Sequence, residues 1–394
     1  MQTASRARQP SASEEIVKTH FSHRLDFGLP QNTFAELKLH EKQFSHFGGQ
    51  LKDLPVRNRK AEYLESVNRA QKWIVSHQKS DGGFGPEVET LSHHMAVPAS
   101  LLQTGHPEEA AKLVAHIKKR FILPDGTFNM PEWKAGRPGA LFEYCYAPSW
   151  VIYGAHLNGA FDVSLPAMPH VLQFQDPGTG GMFGSPQDKD RGKGLISAPV
   201  TCIAGQAALT TGHVAEAKRM GGHIIRLIEK NPDLNKEFYP AWDTERGLLT
   251  AADTPSFPNM PRVIIRDAQA QHHYLTGMII AFLSDLFRAT GEKKYLDAAE
   301  TIYDFAADGS QAIYENTLSH KFAWGCSWLY RATGKSEHLE SACRVCDYLV
   351  GIQEEDGTFV HYGLVKSAAD WPYSPRLNTT AQFSLWIYRT ASLL

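Results

Sequence analysis

The sequence predicts an all-α fold, an (α/α)6 toroid in which six helical hairpins close into a ring. Three observations predict it. An apolar helix that ends at a glycine, followed at once by an amphipathic helix, recurs along the chain. A turn of the pattern Gln-x-x-Asp-Gly-x-Phe recurs between these units, and no strand pattern is apparent. Such repetition is typical of architectures in which each unit buries its face against its neighbours.

The hairpins are recognised by their turns. In five units the first helix runs to a glycine and the second follows immediately; the glycines are Gly105, Gly159, Gly212, Gly291 and Gly334. Glycine is the preferred residue where a helix ends in the left-handed conformation. Two more helices, roughly residues 61–77 and 378–394, stand at the two ends of this series. If these two pack together, they form the sixth hairpin and close the ring.

The first helix of each hairpin is predicted to line the inside of the ring. Segments such as residues 197–210 are small and apolar on most sides, which is typical of buried helices, whereas the second helices carry charged faces. The glutamine turns end the outer helices and lead to the next inner helix, so they gather on the rim where the inner helices begin. Their aromatic residues are expected to hold this rim together, and these are Phe84, Phe128, Phe183 and Phe359.

Three parts of the chain are distinguished. Residues 1–58 are predicted to form a leader and N-terminal helical extension, and residues 59–394 form the toroid. The longest step between hairpin turns contains an insertion at residues 231–266, which is rich in proline, threonine and aromatic residues and has no helical period. A long loop in a compact domain is usually functional or disordered. A lid or wall of the mouth is therefore predicted, with residues 185–198 beside it.

The composition argues against several classes of function. The chain has 394 residues and a formal net charge of −2, so it lacks the basic excess of nucleic-acid-binding proteins. No apolar run approaches the roughly 18 residues of a membrane span. The polar N-terminus has no signal-peptide pattern, and a cytoplasmic location is expected. The five cysteines are scattered, which favours free thiols. Nucleotide-binding and serine-elbow motifs are absent, and so are paired metal-ligand spacings, so neither a cofactor nor a metal is predicted.

The turns carry a resemblance to a known family. The stretches WIVSHQKSDGGFG (73–85) and YLVGIQEEDGTF (348–359) resemble the glutamine-aromatic motif of terpenoid cyclases and protein prenyltransferase β subunits. The resemblance implies the α/α toroid, which many carbohydrate-active enzymes also use. The chain departs from the family in lacking the D-x-D-D acid motif of class II cyclases. It also shows no recognisable match to the Asp-Cys-His zinc set of the prenyltransferases or to the signatures of toroidal lyases and uronyl hydrolases.

Candidate site residues come from the first turns of the inner helices and the loops before them, because these positions line the mouth. Histidine exchanges protons near neutrality, and tyrosine donates a hydrogen bond to a developing oxyanion. The residues predicted to carry the chemistry are His273, His320, Tyr146, Glu143 and Lys321. Those predicted to contact the substrate are His94, Thr201, Trp242, Asp243, His272, Tyr274, Trp324, Tyr362 and Gln382. The rim loop that contains Tyr362 also contributes His361 to the mouth.

Two enzymatic functions fit these features, and a non-catalytic binding toroid is a third reading. The first is a cofactor-free cyclase or isomerase that shapes a small hydrophobic natural product, a terpenoid or polyketide. Such an enzyme could guide a Diels–Alder type closure by positioning and hydrogen-bond polarisation. The alternative is a carbohydrate-active hydrolase, lyase or epimerase that uses carboxylates at the rim, drawn from Asp243, Glu245, Glu143 and Asp267.

Overall fold

The computed structural model describes residues 56–85, 90–129, 144–253, 256, 263–269, 271–362, 367, 369 and 373–394. Most of the predicted leader and extension, residues 1–55, lies outside these ranges, and so does Glu143. The division of the chain at residue 58 therefore stays a prediction.

Thirteen α-helices are found in the described ranges, twelve of them in hairpins. In chain order they are α1 (Val56–Ser76), α2 (Val97–Gln103), α3 (Pro107–Phe121), α4 (Tyr146–Leu157), α5 (Phe161–Leu172), the short α6 (Pro186–Arg191), α7 (Ala198–Thr210), α8 (Val214–Lys230), α9 (Tyr274–Thr290), α10 (Lys293–Ala307), α11 (His320–Thr333), α12 (Ser336–Gly351) and α13 (Tyr373–Ala391). The helices α2, α4, α7, α9, α11 and α13 form the inner ring, and α1, α3, α5, α8, α10 and α12 form the outer ring. Among the described helices, none combines the length and apolar character that a membrane crossing requires.

The ring is closed. Each inner helix packs against the next in the order α2, α4, α7, α9, α11 and α13, and α13 returns to contact α2. The chain ends also meet, because α13 packs against α1 and makes the sixth hairpin. Between the outer helices α1 and α12, the guanidinium of Arg59 lies 3.0 Å from the Asp347 carboxylate. The predicted (α/α)6 toroid is confirmed.

Burial follows the composition of the helices. In the inner helix α7, every residue from Ala198 to Ala208 is buried, because small and apolar side chains occur on all its faces. In the outer helix α8, buried residues such as Ile224 and Leu227 alternate with exposed charged ones. The inner helices therefore form a double-sided core, and only their ends can present polar groups to a ligand.

The glutamine turns join neighbouring outer helices. The side-chain amide of Gln353 donates to the carbonyl of Gly357 in its own turn at 2.8 Å, and to the carbonyl of Ser66 on α1 at 2.9 Å. Gln78 and Gln175 make the same pair of bonds, each reaching the outer helix of the next hairpin. The motif thus satisfies backbone carbonyls around the ring, and its last copy ties the end of the ring to its start.

We expect Gly357→Ala to destabilise the protein more than Gly159→Ala. Both glycines have positive φ, +89° and +75°, so each alanine costs about 1–2 kcal/mol of left-handed strain. A Cβ at Gly357 would also lie 2.6 Å from the carbonyl oxygen of Arg69, whereas nothing lies within 4 Å at Gly159. This overlap adds about 1–3 kcal/mol. Urea unfolding measures both variants, and equal losses would contradict the proposed role of the turn in ring closure.

The insertion and the segment 185–198 beside it contain short strands, so the expectation of no strands was wrong. The strands are β1 (Leu195–Ser197), β2 (Glu237–Phe238), β3 (Ala241–Asp243), β4 (Gly247–Leu248) and β5 (Ile264–Ile265). They form an antiparallel β1–β3–β4 sheet and a β2–β5 pair. Strands of two or three residues are too short to show an alternating pattern in the sequence. Because β1 leads directly into α7, the first sheet lies at the rim where the inner helices begin.

Candidate functional site

The polar groups that converge lie on three adjacent inner helices. Tyr274 begins α9, His320 and Lys321 begin α11, and Gln382 projects from α13. Helices α9, α11 and α13 are consecutive in the inner ring. Their side chains therefore meet at one side of the mouth, near the rim formed by the glutamine turns.

His320 is held in one tautomer by its neighbours. Its Nδ1 lies 2.9 Å from the carbonyl oxygen of Thr317, and its Nε2 lies 3.2 Å from Oε1 of Gln382. Burial, with Lys321 and His361 nearby, lowers the pKa of His320 well below its ordinary value. A neutral imidazole carries only one N–H, which faces the Thr317 carbonyl. Nε2 is then left as the acceptor, which requires the Gln382 amide to be turned about its last torsion so that NH₂ replaces the Oε1 that faces Nε2 here.

Two more histidines complete the cluster. The ring of His361 lies 5.3 Å from that of His320 in an edge-on arrangement. Burial, with Lys321 and His272 nearby, lowers the pKa of His361 to about 3. The ring of His272 stacks on Tyr274 with centroids 5.5 Å apart, and the Tyr274 hydroxyl lies 3.4 Å from its Nδ1. Three histidines and a tyrosine are thus gathered in one place, with at least two of the imidazoles neutral at pH 7.

Lys321 lies inside this cluster. Its Nζ lies 4.8 Å from the centroid of the Tyr274 ring, and the residue is 5 % exposed. Burial lowers the pKa of Lys321 to about 7. Within the described residues the ammonium forms neither an ion pair nor a hydrogen bond. Buried lysines are normally paired with a carboxylate, so this one is unusual.

A pair of glycines explains why these groups meet. A Cβ on Gly277 of α9 would lie 2.1 Å from the carbonyl oxygen of Lys321, and a Cβ on Gly325 of α11 would lie 2.6 Å from the carbonyl oxygen of Gly277. The backbones of α9 and α11 therefore approach more closely than any larger residue would allow. This approach brings Tyr274 under the Lys321 ammonium.

Three tryptophans close the barrel beneath the polar groups. Trp150, Trp324 and Trp386 each follow one of the mouth residues Tyr146, His320 and Gln382 by four positions on the same helix, which places them about 6 Å deeper. Trp324 stacks on Trp386 with centroids 4.6 Å apart, and both contact Trp150 on α4, which is opposite α11 in the ring. The predicted substrate contact Trp324 thus belongs to a buried tryptophan layer beneath the polar groups, which is called the floor of the site.

Three of the predicted site residues make structural contacts. The Nε2 of His273 donates to the Gln269 carbonyl at 3.1 Å, and burial lowers its pKa to about 4. His94 packs beside Phe121 of the outer helix α3, with its Nδ1 3.1 Å from the Thr90 carbonyl. The hydroxyl of Thr201 accepts the backbone N–H of Met182 in a glutamine turn at 3.0 Å. None of these contacts joins the histidine cluster.

The remaining predictions lie around the rim. The hydroxyl of Tyr362 donates to the Glu354 carboxylate. Trp242 packs on the outer helix α8, 6.2 Å from His223. The hydroxyl of Tyr146 lies 3.9 Å from the sulfur of Met278 on α9, and burial raises its pKa to about 12. Glu143 lies outside the described residues.

The rim carboxylates are engaged elsewhere. Asp243 accepts the backbone N–H groups of Glu245 and Arg246, each at 3.0 Å, and so caps the β3–β4 turn. Glu245 pairs with Lys193 at 3.0 Å, and Asp267 is exposed. In the part of the chain that the structure covers, no group of three His, Cys, Asp or Glu side chains is arranged to hold a metal ion. The site is therefore built from imidazole, amine, phenol and amide groups.

Comparison with known proteins gives structural similarity only. No family model and no curated protein matches the sequence. Among solved structures, the chain is similar to a D-mannose isomerase (TM-score 0.59, 13 % identity, 84 % of this chain and 98 % of that one). It is also similar to the α-1,6-mannanase of Salegentibacter sp. HEL1_6 (TM-score 0.57, 13 % identity, 84 % and 100 %). An unsaturated glucuronyl hydrolase specific for heparin matches with TM-score 0.54 at 11 % identity over 85 % and 97 % of the two chains.

These similarities correct the first functional reading. The similar structures are enzymes of carbohydrates, so the prediction of a terpenoid or polyketide cyclase with a small hydrophobic substrate was wrong. No relation to terpenoid cyclases is found beyond the toroid. The turn motif suggested such a relation. Its glutamine side chain binds backbone carbonyls, which any toroid must satisfy. The chain shares the (α/α)6 toroid fold of these carbohydrate-active enzymes.

Proposed function

We propose that this protein is a carbohydrate-active isomerase or epimerase that moves a proton between carbon atoms of a sugar. The observation that carries the proposal is the cluster of His320, His361 and His272 around the buried Lys321, at the closed-floor mouth of a toroid. Neutral imidazoles suit proton transfer to and from carbon. The alternative inferred from the sequence, a carbohydrate-active enzyme, is kept, but with histidines in place of rim carboxylates.

In the proposed reaction His320 is the base. Its Nδ1–H stays bonded to the Thr317 carbonyl, so the Nε2 lone pair faces the site. The open-chain sugar takes the position of the Gln382 amide, and Nε2 removes the proton from the carbon next to the carbonyl. The C–H electron pair forms the carbon–carbon double bond, and the carbonyl oxygen takes a proton from Tyr274 or His361. For the isomer, His320 gives a proton to the former carbonyl carbon, and the hydroxyl on the neighbouring carbon loses its proton to the group that had protonated the carbonyl oxygen, which forms the new carbonyl. For the epimer, a second group gives a proton to the opposite face of the original carbon, and the enediol oxygen returns its proton to Tyr274 or His361, which restores the original carbonyl.

Isomerase chemistry is favoured over hydrolysis because the chain lacks two consecutive aspartates, the residues that are replaced in an inactive mannanase variant. The mannanase variant described as inactive has two consecutive aspartates replaced by asparagine. This chain has no Asp-Asp pair anywhere in its sequence. The D-mannose isomerase, by contrast, is named for chemistry that a pair of proton-transferring groups can perform. We therefore assign the site to proton transfer.

The proposal is tested with a panel of sugars. The purified protein is incubated separately with D-mannose, D-fructose, D-glucose and an α-1,6-mannotriose, and products are separated by chromatography. We expect interconversion of monosaccharides and no cleavage of the mannotriose. Cleavage without interconversion would instead support a glycosidase.

The pH profile is expected to lack an acid limb near the ordinary histidine pKa of about 6.5. The base must be neutral to accept a proton, and the lowered pKa of His320 keeps it neutral until the pH falls well below 6.5. kcat/KM for a neutral sugar should therefore not be halved at pH 6.5 and should fall only at a pH well below it. The measurement is kcat/KM across pH 4.5 to 7.5 in buffers of constant ionic strength. A half-maximal rate at pH 6.5 would contradict the role given to His320.

A further inference from the structure

We infer that Lys321 binds an anionic group of the substrate, so that the sugar is an acidic one, a uronate or a sugar phosphate. This inference rests on the proposed function and names its substrate class. Carboxylate and phosphate share the chemistry that an ammonium recognises, and the experiment below distinguishes them.

The first support is the absence of a counter-ion. Lys321 is more than nine-tenths buried, and its ammonium has no ion pair or hydrogen bond among the described residues. Among the described residues, the groups that contact it or act on it and its neighbours electrostatically are His320 of α11, Tyr274 of α9, and His361 and His272 of the adjoining loops. None of these carries a negative charge at neutral pH. A buried lysine in such surroundings either loses its proton or keeps it by pairing with an anion from elsewhere, and the substrate is the anion inferred here.

The second support is the direction of the inner helices. Tyr274 begins α9, and Lys321 lies in the first turn of α11. The N-terminal end of a helix carries a partial positive charge, so a lysine there is unfavourable and an anion is favourable. The helix ends and the ammonium therefore attract the same kind of ligand. A ligand anion beside Nζ offsets both the burial of the unpaired ammonium and its unfavourable position at the N-terminal end of a helix.

The third support is access. Lys321, His320 and Tyr274 each keep a few per cent of exposure, whereas Trp386 beneath them has none. The ammonium therefore lies on the solvent side of the buried tryptophan layer. The acidic group of a sugar would lie over this floor, with its carbonyl end toward His320.

The test compares three sugars that differ only at carbon 6. D-mannose, D-mannuronate and D-mannose 6-phosphate are titrated into the full-length protein by isothermal titration calorimetry at pH 6. We expect at least tenfold tighter binding of one acidic sugar than of mannose. Preference for mannuronate identifies a uronate site, and preference for the phosphate identifies a sugar-phosphate site.

Two variants and one condition assign this preference to Lys321. In Lys321→Met the advantage of the acidic sugar should vanish, while the exposed Lys335→Met keeps it. In the unmodified protein the advantage of mannuronate should shrink between pH 6 and pH 8.5, because the ammonium loses its proton with a pKa of about 7. This measurement needs no variant, so it holds even if Lys321→Met does not fold. A pH dependence that persists in Lys321→Met would come from another group and would count against Lys321.

The outcomes separate the two proposals. If mannose binds as tightly as both acidic sugars, or if the preference survives in Lys321→Met, the inference about Lys321 is overturned and the isomerase proposal stands. If none of the three sugars binds, the carbohydrate function fails and the inference fails with it.

Discussion

Replacing His320 by asparagine is expected to lower kcat/KM for sugar interconversion by about 10²–10⁴-fold, the usual contribution of a positioned general base. Asparagine can still donate to the Thr317 carbonyl, which the Nδ1 of His320 reaches at 2.9 Å. It has no lone pair basic enough to accept a proton from carbon. The fold should therefore persist while the chemistry is lost. Initial rates with the best sugar of the panel, together with thermal unfolding, measure both effects.

The matched control is His156→Asn. His156 lies at the far end of the inner helix α4, where its Nδ1 lies 3.0 Å from the Ser164 hydroxyl. The same substitution there should change kcat/KM less than about threefold. If both variants lose activity equally, the loss reflects stability, and the role of His320 as the base is contradicted.

Replacing Gly277 by alanine is expected to damage both stability and activity. The added methyl would overlap the Lys321 carbonyl, so α9 and α11 must separate. Overpacking of this kind costs about 1–3 kcal/mol of the free energy of unfolding. The separation also moves Tyr274 away from Lys321, and a misplacement of about 1 Å can lower activity on the order of 10²-fold. Urea unfolding and steady-state kinetics on the same preparation measure the two effects.

Gly222→Ala is the control for this substitution. Gly222 lies within the outer helix α8 with nothing within 4 Å of a Cβ, so alanine should stabilise the helix by about 0.5–1 kcal/mol. Its activity should be unchanged. A Gly277→Ala variant as stable and as active as Gly222→Ala would show that the close approach of α9 and α11 does not hold the site.

The fold could be predicted from the sequence because its signals are local. The hairpin glycines, such as Gly291 and Gly334, adopt the left-handed conformation at the ends of their helices, with φ of +72° at both. The glutamine turns repeat because each copy satisfies the same backbone carbonyls. One copy of the turn differs from the other two. Met182 lies two residues after its turn glycine, at the position that Phe84 and Phe359 hold in the other copies.

The site was only partly predictable because side-chain direction depends on packing. His320, Lys321, Tyr274, His272 and Gln382 converge as the inner-helix positions suggested. Adjacent histidines point in different directions, and the sequence does not say which one faces the mouth. For this reason His272 joins the cluster, whereas its neighbour His273 does not. The part played by His361 depends on how its loop returns over α11, and no sequence pattern records that. The tryptophan floor was detectable, since Trp150 and Trp386 follow Tyr146 and Gln382 by one helical turn.

Solvent hydrogen exchange at carbon tests the proton-transfer claim most directly. The protein is incubated in D₂O at pH 7 with D-mannose and, separately, with D-mannuronate, and the sugars are analysed by NMR. We expect one deuterium bound to carbon 1 or carbon 2 of the turned-over sugar, because the proton held on His320 exchanges with solvent before it returns to carbon. In His320→Asn this incorporation should be abolished. Turnover of sugar with no deuterium on carbon, or incorporation that persists in His320→Asn, would contradict proton transfer by His320.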